Sequence, residues 1–194
     1  MRKSSKILFV LGILLILGSL VIVAAYWLQA QRAQANAAKV LAQINAVLPP
    51  KSVGMMDTYS SMEMPVLQID NQDFVAIVEI PAFGIMLPVY STWDAGKATS
   101  FPCRFSGTVY DGTLIIGGTD QKGQFDCFDQ IQHGNTVTVT DMNGAEFSYT
   151  VSRIDRAKSA EADILIEEMF DLTLFVRDTY SLEYIIVRCS GSGR

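Results

Sequence analysis

Three cysteines and one histidine are the thiols and the imidazole of this chain of 194 residues. The cysteines are Cys103, Cys127 and Cys189, at irregular spacing, and the histidine is His133. No C-x-x-C pair and no His/Cys spacing of a zinc site occurs, so no metal and no cofactor is expected. A thiol becomes a nucleophile through a neighbouring base or cation. None of the three cysteines has a histidine near it in a common motif, and His133 lies in Gln132-His133-Gly134-Asn135, a turn composition ahead of a strand. Its simplest reading is a solvated turn residue. An oxidising compartment would allow one disulfide, and the odd count leaves at least one thiol unpaired within a monomer.

These residues must be positioned by elements of two kinds. Ile7 to Leu28 is apolar except for Gly12, Gly18 and Ser19, long enough for the ~20 residues that cross a hydrocarbon core at 1.5 Å each. Arg2, Lys3 and Lys6 precede it without an acidic residue, which predicts a cytoplasmic N-terminus and an extracellular C-terminal domain. Tyr26 and Trp27 stand where an aromatic belt would meet the outer interface. The competing reading is a cleaved signal peptide, with Ala24 and Ala25 near the cleavage site. The run exceeds the ~7–15 residues of a signal core, which favours a retained anchor. The expected organisation is a cytoplasmic tip at 1–6, a transmembrane anchor at 7–28, a helical stalk and linker at 29–63, and a domain at 64–194. Val40, Leu41, Ile44 and Leu48 give the stalk helical spacing, and Pro49-Pro50 end it.

From Met64 onward the pattern changes to short strands. They are expected at Phe74–Ile80, Ile85–Tyr90, Thr113–Gly117, Thr136–Asp141, Phe147–Ile154, Leu172–Val176 and Tyr184–Cys189. Asn143-Gly144 suits a type I′ hairpin turn between two of them. A short helix or loop is expected at Ala160–Phe170. The fold class is mostly β, a mixed barrel of seven or eight strands with short helices, preceded by one transmembrane helix. The net charge of −5 offers no basic face for phosphates, so nucleic acid is not an expected partner.

Three stretches in order resemble sortases, the membrane-anchored cysteine transpeptidases of Gram-positive surfaces. The first runs from Met64-Pro65 and Ile69-Asp70 through Val78-Glu79-Ile80-Pro81 and Leu87-Pro88-Val89 to Trp93. The second is Pro102-Cys103-Arg104-Phe105-Ser106-Gly107 followed by Leu114-Ile115-Ile116-Gly117-Gly118-Thr119-Asp120. The third is Leu172-Thr173-Leu174-Phe175-Val176-Arg177, ending at Val187-Arg188-Cys189. The resemblance covers roughly 64–189 and is nearest to a class B-like or class D-like sortase of a clostridial-type lineage.

What the resemblance implies is acyl transfer. A cysteine attacks a peptide carbonyl, a histidine shuttles the proton and an arginine steadies the oxyanion. The family's A-G-H-N-like tetrad reads Gly117-Gly118-Thr119-Asp120 here, which puts Thr119 at the histidine. Its T-L-x-T-C-like strand end puts Arg177 at the cysteine, and an ungapped count puts Tyr184 at the arginine, or Glu183 after a slip of one residue. Threonine does not titrate near neutrality, and guanidinium is no nucleophile. No catalytic residue is therefore expected at these degenerate positions. Cys103 and Cys189 match family positions outside the active site and read as structural.

Thr119, Asp120, Arg177 and Asp178 are the candidates for ligand binding. The resemblance places them together as a charge cluster, either a site for a carboxylate or anionic glycan or an internal ion pair. The resulting expectation is a pseudo-sortase that binds or assembles something at the cell surface, with a surface protein, a pilin or another sortase as partner. The alternative is an active cysteine transpeptidase working through an atypical nucleophile.

Overall fold

The computed structural model describes residues 2–56, 62–160, 162–166, 170–179 and 181–191, without the side chains of 2–8, 10, 25–34 and 162–163. The chain packs as two units, 1–36 and 37–194. One helix, α1 (Arg2–Val47), supplies the described part of the first unit and the start of the second. In the first unit Phe9, Leu14, Leu15, Val21 and Ile22 are all exposed. Among the described residues no helix is long and apolar enough to cross a membrane. The segment expected to do so, 7–28, lies partly outside the described side chains.

The second unit opens on the last turns of α1. Ala37 and Ile44 are buried in its main core, with Val40, Leu41 and Leu48 packed alongside. That is the stripe expected of a helix with one apolar face. The Leu48 N–H still donates to the Ile44 carbonyl at 2.9 Å. Pro49 and Pro50 have no N–H to continue the ladder.

The strands are β1 (Ser52–Val53), β2 (Leu67–Ile69), β3 (Gln72–Ile80), β4 (Ile85–Tyr90), β5 (Cys103–Ser106), β6 (Leu114–Thr119), β7 (Thr136–Asp141), β8 (Ala145–Ala157), β9 (Leu172–Arg177) and β10 (Tyr184–Gly191), with a short helix α2 (Ala162–Leu165) before β9. Hydrogen bonding runs β8–β10–β9–β6–β5–β4–β3, and β7 pairs with both β3 and β8. The ring therefore closes with eight strands, at the upper end of the expected seven or eight. Closure leaves no long unpaired edge. β1 and β2 are short additions to β8 and β3. The pairs β4/β5 and β6/β9 are parallel, which makes the barrel mixed.

Alternation sorts the side chains along each strand. Leu114, Ile116, Leu174, Val176, Ile185 and Val187 enter the main core, together with Phe74, Val78, Val139 and Tyr149 from the other strands. Ile115, Phe175 and Ile186 point the opposite way and form a second cluster with Leu165 of α2 on the outer face.

Two turns differ from expectation. Three residues, Met142 to Gly144, separate β7 from β8, and only Gly144 has positive φ, at 78°. A type I′ turn needs both central residues there, so Asn143-Gly144 is instead the end of a three-residue connection with glycine in the left-handed position. The buried Asp141 carboxylate fixes it by accepting from the Asn143 and Ala145 N–H groups at 2.9 and 2.8 Å. The hairpin with two consecutive left-handed residues is β2–β3, through Asp70 (φ 49°) and Asn71 (φ 61°). Both residue types tolerate that region through local hydrogen bonding of their short polar side chains.

Candidate functional site

The pairing of β6 with β9 sets Thr119 opposite Arg177. The pairing of β9 with β10 sets Arg177 opposite Tyr184. The three residues thus stand abreast on neighbouring strands. They share the phase of Ile115, Phe175 and Ile186, so they belong to the outer face and not to the barrel interior. The floor behind them is aromatic. Trp93, Phe105 and Phe175 lie with ring centroids 5.4 to 5.7 Å apart, and Tyr184 is 6.4 Å from Phe175. Gly117 makes room for this, since a Cβ there would run into the rings of Phe175 and Trp93.

The polar groups of the row are incompletely matched. Among the described residues the Thr119 hydroxyl is buried and has no hydrogen-bond partner. Its backbone is held: the N–H donates to the buried Gln124 side-chain oxygen at 3.3 Å, and its carbonyl accepts from the Phe125 N–H at 3.2 Å. Arg177 is exposed.

The acidic candidates are occupied elsewhere. Asp120 accepts from the Thr179 N–H at 2.6 Å and its hydroxyl at 2.7 Å, which ties the end of β6 to the β9–β10 connection. Asp178 accepts from the Ser181 hydroxyl at 2.8 Å and pairs with Arg156 at 3.3 Å. The structure therefore shows Asp120 and Asp178 in loop-bracing contacts, with Arg156 rather than Arg177 as the cation.

The three cysteines are buried and unbridged. Burial raises the thiol pKa of all three, to about 12 for Cys127 and Cys189. Cys103 sits within 3.8 Å of the Asp94 carbonyl and 3.6 Å of the Phe101 carbonyl, acceptors that suit a protonated thiol. His133 is exposed in the turn before β7, where the Asn135 side chain accepts from the Gln132 N–H at 2.8 Å. β7 pairs with neither β6, β9 nor β10, so this imidazole belongs to another part of the barrel wall.

Three structural relatives place this geometry. Sortase C from Clostridium perfringens SM101 shares 21% identity over 63% of this chain and 71% of its own, with a TM-score of 0.53. A Clostridium perfringens sortase D5 transpeptidase shares 18% over 62% and 80%, at 0.54. A lid mutant of sortase A from Corynebacterium diphtheriae shares 16% over 86% and 93%, at 0.54. The domain has the sortase fold. No protein-family model and no curated protein matches the sequence. Within the sortase fold, the match of Thr119, Arg177 and Tyr184 to the family's histidine, cysteine and arginine rests on sequence motifs, and the strand register makes the three positions neighbours.

Beside the row is a pocket that sequence reasoning missed. Its volume is about 350 Å³, and it lies between the Ser91–Trp93 segment, the Arg104–Thr108 segment and Glu63. Arg104, Phe105 and Trp93 belong to the stretches that carry the family resemblance, but nothing in their spacing brings them to one cavity. The convergence comes from β4 and β5 meeting in parallel at Tyr90 and Cys103, which sets the two following segments side by side.

Proposed function

We propose that this chain is a membrane-anchored, non-catalytic protein of sortase fold that binds a partner at the cell surface of a Gram-positive bacterium. The observation that carries the reading is the row of Thr119, Arg177 and Tyr184 abreast on β6, β9 and β10. At the motif position of the nucleophile stands a guanidinium, which is permanently charged and donates only. At the position of the acid/base stands a hydroxyl that does not titrate near neutrality. The position of the oxyanion donor carries a phenol in place of a fixed cation. The raised pKa values of the buried thiols support the same reading, because the thiolate is the reactive form.

The partner is a surface protein, a pilin or another sortase, held at the outer face of β6, β9 and β10. The anchor is the 7–28 segment, with its N-terminus cytoplasmic and the domain outside. The charges of Arg2, Lys3 and Lys6 support this orientation. The exposed side chains of Phe9, Leu11, Leu14, Leu15, Val21 and Ile22 support burial in lipid.

The discriminating test is the rate at which iodoacetamide alkylates the native protein, resolved by cysteine. The expected result is slow labelling at Cys103, Cys127 and Cys189, with all three labelled rapidly once the protein is denatured. One cysteine that reacts in the native state faster than free cysteine would favour a transpeptidase with an atypical nucleophile.

A further inference from the structure

The pocket beside the catalytic-position row holds an under-used guanidinium. Arg104 is only 19% exposed at its side chain, and its Nε–H donates to the Ser91 carbonyl at 2.9 Å. Its terminal nitrogens make no hydrogen bond among the described residues, yet neither is sealed from solvent. A guanidinium has five N–H donors in a planar fork, so most of its capacity faces the cavity. Among the described residues the only opposing charge lining the pocket is Glu63, from the segment that leads into β2. Its carboxylate is 4.0 Å from an Arg104 terminal nitrogen and 88% exposed, too far for a hydrogen bond. Trp93 and Phe105 supply an apolar wall.

We propose that this pocket binds an acidic side chain of the partner polypeptide, its carboxylate seated on Arg104 and the adjoining residue lying against Trp93 and Phe105. The assignment rests on the reading of the domain as a binding module and names the chemistry which that module recognises. A volume of about 350 Å³ is at the small end of ligand pockets, which span ~300–1,000 Å³, and it suits one side chain and part of a neighbour. A single cation with a carboxylate at the mouth favours a monoanion over a phosphate dianion. Glu63 marks the same preference and competes for the site from within the chain. The chain's own charge of −5 gives acidic peptides no long-range attraction, so a preference for them reports the pocket.

The test uses the full chain in detergent micelles and two blocked tripeptides, acetyl-Leu-Glu-Leu-amide and acetyl-Leu-Gln-Leu-amide, titrated by calorimetry. A hydrogen bond to a charged group predicts roughly tenfold tighter binding of the acidic peptide. Glu63→Gln, at an exposed position without a bond to lose, should tighten the acidic peptide by up to about fivefold, the range of an exposed ion pair. Arg104→Gln should bring the two peptides to equal affinity. Arg104→Lys, which keeps the charge and loses the fork, should retain part of the preference. Equal binding of both peptides to the wild type overturns the carboxylate assignment and leaves the binding reading in place. A Glu preference that survives Arg104→Gln in folded protein also overturns it. Failure of the acidic peptide to bind overturns it, and failure of both peptides counts against the binding reading as well.

Discussion

At the scale of single residues the account turns on what three side chains are able to do. In acyl-transfer enzymes the loss of one member of the catalytic set costs ~10⁴-fold or more, and further losses add little. Arg177→Cys alone is therefore expected to restore no transpeptidation. The new thiol would face Thr119 and Tyr184 across the strands, so no imidazole would lower its pKa or protonate a leaving amine. Thr119→His, Arg177→Cys and Tyr184→Arg together would put the three required groups on adjacent strands, and only that combination should give turnover. Peptide-transfer assays of the single and triple variants check this. Thr119 and Arg177 were legible in the sequence because each holds a fixed place in a short motif. The partners of Asp120 and Asp178 were not, since Thr179 and Arg156 come from segments whose approach depends on how the barrel closes.

At the scale of elements, the outer face is held by a bracket that no motif announces. The buried Arg188 donates to the Asp155 carboxylate at 2.8 Å and to the carbonyls of Ile164 and Leu165 at 2.6 and 3.2 Å. It thereby fastens β10 to β8 and to the end of α2. Leu165 then closes the cluster over Ile115, Phe175 and Ile186. Burial alone would raise the Asp155 carboxyl, but hydrogen bonds from Arg188 and Arg153 and their charges bring it below its ordinary 3.8. A carboxyl with a depressed folded pKa stabilises fully above the unfolded value, and the contribution is lost as pH falls through the folded one. Asp155→Asn should therefore destabilise the domain at neutral pH, and the gap to wild type should narrow as the pH falls below the ordinary carboxyl value of 3.8. Urea unfolding of both proteins at neutral and at acid pH measures it. A gap independent of pH would mean that the bracket acts through shape and not charge. Strands with strong alternation or clear turn boundaries, such as Ile85–Tyr90 and Thr136–Asp141, were read from sequence at their observed limits. β5 was not, because Cys103–Ser106 is four residues with a register shift between Arg104 and Ser106 and has no alternation to follow.

At the scale of the whole molecule, a barrel of sortase fold is joined to a helix that runs to residue 2 and exposes apolar side chains. The closed ring was legible as a count of short strands, whereas its order was not, because β6 and β9 pair across more than fifty intervening residues. If the helix anchors the chain with its basic end inside, protease added to intact cells should degrade residues beyond 28 and leave a short membrane-bound remnant. A mature protein beginning near Tyr26 would instead show a cleaved signal. The central claim is that this sortase-fold domain performs no acyl transfer. Its most direct test is to incubate the full chain with sorting-signal peptides and an amine acceptor, and to search by mass spectrometry for an acyl-thioester on the protein and for transferred peptide. The account predicts neither product above background; a thioester at Cys103, Cys127 or Cys189 would contradict it.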